Sequence, residues 1–146
     1  MSIFSPQQLL NKIPLFKSLS DSDLKSLSEC VRLQSLKKGQ TLFQKGDEGS
    51  SLYIIKQGTI KIVLPSRLGD EVIVTIFSKG DFFGEMALFD GQPRSADALS
   101  MESSKIYVLS RNDFLLFLHS NINAMKSILS QLTKRQIGRA SCRERV

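Results

Sequence analysis

The stretch SLYIIKQGTIKIVLPSRLGDEVIVTIFS, residues 51–78, decides the fold. Three runs rich in β-branched and apolar residues, 51–56, 59–64 and 71–77, are divided by Gln57-Gly58 and by Leu68-Gly69-Asp70. Glycine supplies the positive φ that a tight turn needs, so the runs read as successive strands joined by turns. The same texture continues in both directions. Upstream lie VRLQSL (31–36) and TLFQ (41–44); downstream lie SADALS (95–100) and KIYVLS (105–110), with Gly39, Gly46, Gly49 and Gly80 between runs. Many short strands at close spacing with turn signals predict an antiparallel β-roll, jelly-roll-like in layout.

Helical signals flank this region. Ser20 reads as an N-cap, followed by Asp21 and Asp23 in the first turn and by Leu24 and Leu27 three apart. Pro14 marks a break ahead of it. Past Leu109, Ser110 reads as a cap for residues 112–120, where Phe114, Phe117 and Leu118 share a face. A second helix starts at Asn121 or Ile122, with Ile122, Met125, Ile128, Leu129 and Leu132 as its stripe. The expected class is therefore α+β: N-terminal helices, a β-roll, then two C-terminal helices. The last stripe has to pack on the roll or on a sister helix, and a mixture is expected. The homodimer seam is assigned to Ile122, Met125, Leu129 and Leu132. His119, at a helix end, reads as exposed, and Cys30 as a small apolar residue.

Composition sets the outer bounds. The 146 residues are 41% hydrophobic and 23% charged, ordinary values for one globular domain. The formal charge is +6, but Lys134, Arg135, Arg139, Arg143 and Arg145 face only Glu144 after residue 133. The excess is mostly one tail, which argues against a nucleic-acid surface. From Ile137 the apolar stripe lapses into small and basic residues. Residues 1–136 are accordingly read as the domain, and 137–146 as a non-native or disordered basic tail. No apolar run reaches membrane-spanning length, no secretory start is evident, and two cysteines make no disulfide framework. A cytoplasmic location is expected, with no membrane segment and no DNA-binding domain in this chain.

One segment carries chemistry: Gly80-Asp-Phe-Phe-Gly-Glu-Met-Ala-Leu-Phe-Asp-Gly-Gln-Pro-Arg-Ser-Ala96. It follows a strand, turns through a short helical piece around Glu85 to Phe89, and turns again at Asp90-Gly91 and Pro93. If its ligand is a phosphate ester, Gly84 allows close backbone approach. The first helical turn offers free N–H groups, and Arg94 a planar fork for two phosphate oxygens. Ser95 and Ala96 add donors. Glu85 would repel a phosphate, so it suits a sugar hydroxyl. Phosphate and ribose hydroxyl in one compact pocket describe a cyclic nucleotide.

Gly84-Glu85-Met86-Ala87-Leu88 followed by Pro93-Arg94-Ser95-Ala96 resembles the phosphate-binding cassette of cyclic-nucleotide-binding domains. These occur in bacterial cyclic AMP receptor proteins, protein kinase A regulatory subunits and cyclic-nucleotide-gated channels. The similarity covers about residues 10 to 136, and the turns at Gly46-Asp47 and Gly58 also match. The resemblance implies that Arg94 binds the exocyclic phosphate oxygens and Glu85 the ribose 2′-hydroxyl. It implies backbone or hydroxyl contacts from Gly84, Glu85, Met86, Ala87, Ser95 and Ala96. It also places Thr75, with Val74 and Phe83 as apolar neighbours, at the purine. Serine after the arginine favours cyclic AMP, with cyclic GMP possible. No cofactor and no catalysis are implied: the chain is expected to be a regulatory sensor that signals through its C-terminal helices. In the bacterial receptors the final helix touches the adenine; by register those contacts fall near Arg139, inside the suspect tail.

Plainer alternatives stand beside this reading. Glu85 and Arg94 could form a structural ion pair, and Phe82, Phe83 and Phe89 could be core. A β-roll interaction domain with a degenerate pocket is one alternative function. A cupin-type metal enzyme is another, poorly served by a single histidine.

Overall fold

The computed structural model describes residues 5–65 and 68–138. Eight strands form two antiparallel four-stranded sheets. The strands are β1 (Arg32–Leu36), β2 (Thr41–Phe43), β3 (Ser51–Gln57), β4 (Thr59–Pro65), β5 (Glu71–Ser78), β6 (Phe82–Phe83), β7 (Asp97–Ser100) and β8 (Ser104–Ser110). One sheet has the order β1-β8-β3-β6 and the other β2-β7-β4-β5. All seven expected strands are present. β6 is the addition, pairing Phe83 with Tyr53 and Phe82 with Ile54 at the point where the sequence suggested only a turn.

The period-2 alternation of β3 and β8 divides the core into two. Leu52 and Ile54 of β3 and Tyr107 and Leu109 of β8 face a helical layer. Ile55 and Ile106, from the same two strands, face the roll interior with Leu36, Phe43, Ile60, Ile62, Phe83, Ala96 and Ala98. The molecule is thus three layers deep: helices, the β3-containing sheet, and the β4-containing sheet.

The helices are α1 (Pro6–Asn11), a 3-10 turn at Pro14–Phe16, α2 (Asp21–Ser28), α3 (Ala87–Asp90), α4 (Arg111–Ser120) and α5 (Ile122–Gly138). Ser20 caps α2 through the Asp23 amide at 3.1 Å, and Ser110 caps α4 through the Asp113 amide at 3.1 Å. Pro14 opens the 3-10 turn, as its fixed φ permits. Ser5 and Gln8 form a reciprocal capping box on α1, a signal the sequence carries in Ser5-Pro-Gln-Gln8.

The stripe of α5 divides. Ala124 and Ile128 are buried in the helical core, with Met125 and Leu132 half-buried against it. Ile122 and Leu129 stay 56% and 54% exposed. Of the four residues assigned to the seam, Met125 and Leu132 turn partly toward the core, three and four positions from Ile128, while Ile122 and Leu129 keep most of their surface open. The helix also runs to Gly138, two residues beyond the expected boundary. Residues 139–146, which hold Arg139 and most of the expected tail, lie outside the described residues.

Candidate functional site

The segment between β6 and β7 is built on three local devices. Gly84, directly after β6, has φ +84°, a conformation that L-residues avoid. A Cβ here would lie 2.8 Å from the Ser51 carbonyl oxygen and 3.0 Å from Arg94 Nη1. The glycine thus serves the fold directly, by letting the chain turn against β3 and against the guanidinium. Glu85 and Met86 complete the turn into α3, and Gly91 closes that helix in a left-handed C-cap.

The second device clamps the return strand. Arg94 N–H donates to the Asp47 carbonyl at 2.7 Å, and Gly46 N–H donates to the Arg94 carbonyl at 2.9 Å. Gly49 N–H donates to the Gln92 carbonyl at 3.1 Å, and Glu48 bridges Pro93. A side chain at Gly49 would collide with the Gln92 carbonyl oxygen. The 46–49 loop is therefore an antiparallel splint for residues 92–94.

The third device orients the Arg94 side chain. It is 6% exposed. Nη2 donates to the Ser51 carbonyl at 2.8 Å. The guanidinium also lies 4.4 Å from the Phe43 ring centroid and 5.5 Å from that of Tyr53. Cation–π contact and the Ser51 carbonyl bond help fix the plane of the fork. Glu85 is 9% exposed and follows Gly84, whose Cα the guanidinium overlies. The expected carboxylate and guanidinium both lie in the segment between β6 and β7, withdrawn from water.

Phe43, Tyr53, Phe77 and Phe83 form the floor beneath. Phe77 stacks on Phe83 at 4.7 Å, and Tyr53 lies 5.4 Å from Phe83. Phe83 is buried in the roll interior, so it acts as packing under the site rather than as an open wall. Thr75 pairs with Ile62, which pairs in turn with Ala98. Since Ile62 and Ala98 both face the interior, Thr75 shares that face and lies in one cross-sheet row with the strand that continues Arg94-Ser95-Ala96. Val74 is different. The β4–β5 register passes from Thr75 to Ile73 without it, and it is 49% exposed. It packs in neither core cluster. Ala87 and Ala96 are buried, Met86 is half-buried, and Ser95 is exposed.

Sequence reading missed Phe43, Tyr53, Gly49 and the Ser51 carbonyl as supports of Arg94. An aromatic on a strand and a backbone oxygen carry no local signature of such a role. Gly49 is visible in the sequence only as one of several turn glycines.

The fold is a two-sheet antiparallel roll with a glycine-initiated helical turn and, in the same segment, a buried arginine and a buried glutamate. The comparisons agree. The model of the cyclic nucleotide-binding domain family matches residues 33–121. This chain belongs to the cyclic-nucleotide-binding domain family. Among curated relatives, the cAMP-dependent protein kinase regulatory subunit of Hypocrea atroviridis is 29% identical over 108 residues, 74% of this chain and 22% of that protein. The CRP-like cAMP-activated global transcriptional regulator of Mycobacterium tuberculosis is 26% identical over 128 residues, 88% of this chain and 57% of that protein. The chain thus spans less than two thirds of the length of these relatives. Among solved structures, the N-terminal domain of a transcriptional regulator from Streptomyces coelicolor A3(2) superposes with TM-score 0.83 at 28% identity, covering 89% of this chain and 91% of that one. The regulatory domain of Toxoplasma gondii PKA with cAMP gives 0.70 at 28% identity, covering 77% and 43%. The two curated relatives are named as cAMP-dependent or cAMP-activated regulators, and the Toxoplasma gondii regulatory domain is in complex with cAMP.

Proposed function

We propose that this domain is a cytoplasmic sensor whose ligand is cyclic AMP, held between the 84–96 segment and the inner face of β5. In this reading Arg94 presents its guanidinium to the exocyclic phosphate oxygens, and Glu85 accepts from the ribose 2′-hydroxyl. Backbone amides of Gly84, Glu85, Met86, Ala87 and Ala96, with Ser95, supply further donors, while Thr75 faces the purine and Val74 lies at the rim. Binding then biases the arrangement of α4 and α5, because a ligand shifts populations only by its differential affinity for two states.

The observation that carries this reading is the position of Arg94. A buried guanidinium held by the Ser51 carbonyl and two ring faces, in the same β6–β7 segment as a buried carboxylate, suits an anion joined to a hydroxyl. The names of several relatives, and the cAMP in the Toxoplasma gondii structure, favour cyclic AMP over cyclic GMP.

Isothermal titration calorimetry of the wild type and of Arg94→Leu is the test. A charged hydrogen bond contributes about 1.5–3 kcal/mol, so affinity for cyclic AMP is expected to fall by roughly tenfold to a hundredfold. Equal affinity in a folded variant overturns the assignment. Melting curves with cyclic AMP and cyclic GMP in turn then rank the two ligands.

A further inference from the structure

Arg111 opens α4, where a positive side chain works against the helix dipole. A residue that costs its own element stability is explained by something outside that element. The explanation lies in α3. Arg111 Nη2 donates to the Phe89 carbonyl at 3.4 Å, a long contact, and Nη1 sits beside Gly91, 3.5 Å from where a Cβ would be. The guanidinium therefore caps the C-terminal end of α3, whose last carbonyls have no helical partner. Its Nε is buried and has no hydrogen-bond partner among the described residues. The Arg111 amide donates to the Ser50 carbonyl at 2.7 Å. The adjacent carbonyl, Ser51, is the one that holds Arg94. Two arginines thus hang from consecutive carbonyls at the start of β3, one aimed at the cassette turn and the other at the end of the cassette helix. Beside Arg111, the Phe89 ring meets Phe114 of α4 edge-on at 5.4 Å.

We propose that Arg111 is a positioning residue: it is the polar strut that passes displacement of the 84–96 segment to α4. One bond at 3.4 Å and one unsatisfied N–H mean that this arrangement leaves the strut's hydrogen-bonding capacity partly unused. A small shift of α3 toward α4 shortens the first contact and brings a further helix-end carbonyl to Nε. The segment and α4 then move as a unit. Phe89 against Phe114 keeps them in contact, and Arg111 sets their register.

This inference rests on the cyclic-nucleotide reading above, and the experiment separates the two. Binding of cyclic AMP is measured by calorimetry, and hydrogen exchange across residues 111–133 by mass spectrometry with and without ligand. The wild type, Arg111→Met and Arg111→Lys are compared. Methionine keeps length without donors; lysine keeps the charge without the fork. The wild type is expected to bind and to change its exchange in α4 and α5. Arg111→Met is expected to bind within about threefold of wild type and to lose at least half of that change, with Arg111→Lys between the two. Where the methionine variant does not fold, the lysine variant carries the test, binding as the wild type does with a smaller change in exchange. A wild type that binds without any change in α4 and α5, or variants that bind and respond as the wild type does, overturns the strut and leaves the binding reading intact. A wild type that does not bind overturns both.

Discussion

Gly84 shows how one residue can be required for two reasons at once. Its φ of +84° is strained for any L-residue, and a Cβ would press on the Ser51 carbonyl that holds Arg94. Gly84→Ala is expected to cost about 2 kcal/mol, the usual scale for a non-glycine forced into this region. A lowered denaturant midpoint at unchanged m-value would register it, with weakened ligand binding following from the displaced guanidinium. Cys30 is a second case. Burial first, and then the carboxylates of Asp113 and Glu29, push its thiol pKa up. The unfolded thiol, ionising near its ordinary value of about 8.5, releases its proton first. Stability is therefore expected to fall as pH rises from that value until the raised native pKa is passed. Comparison of denaturation from pH about 8 to 10 in the wild type and in Cys30→Ala isolates this slope. An identical slope in both would remove Cys30 as its source.

At the scale of elements, caps and alternation do most of the placing. Ser110 ends β8, pairs with Ser51 across the sheet and caps α4. One serine therefore fixes where strand gives way to helix, close to the Ser51 carbonyl that holds Arg94. Ser110→Ala is expected to remove about 1 kcal/mol and to lower Tm by about 4 °C. Differential scanning calorimetry measures both, and an unchanged Tm would mean that packing alone defines this junction. The β-roll, its seven longer strands and both C-terminal helices were legible because turn glycines and a switch in hydrophobic period are local signals. β6 was not. Two phenylalanines in sequence have no strand signature, and only pairing with β3 makes them one.

At the scale of the whole molecule, the helical layer settles what α5 exposes. Ala124 and Ile128 seal the core, while Ile122 and Leu129 remain open, near Leu115 and Leu116 in sequence and also exposed. If the domain pairs through this face, sedimentation velocity should show a dimer that Leu129→Lys converts to monomer. Since Leu129 is exposed, the same change should alter monomer stability by no more than about 0.5 kcal/mol. A wild type that sediments as a monomer at every concentration would reject the seam.

By itself the sequence determined the class of roll, the order of its elements and the glutamate and arginine proposed as its site. These follow from spacing and residue chemistry over a dozen positions or fewer. What holds the arginine was decided only by the tertiary structure. The Ser51 carbonyl, the Phe43 ring and the 46–49 splint come from segments roughly 40 to 50 residues away in the chain. Which of Val74 and Thr75 faces inward, and which half of the α5 stripe is buried, were likewise settled by register and by neighbouring layers. A local pattern states that a face is apolar; only the packed fold supplies what meets it.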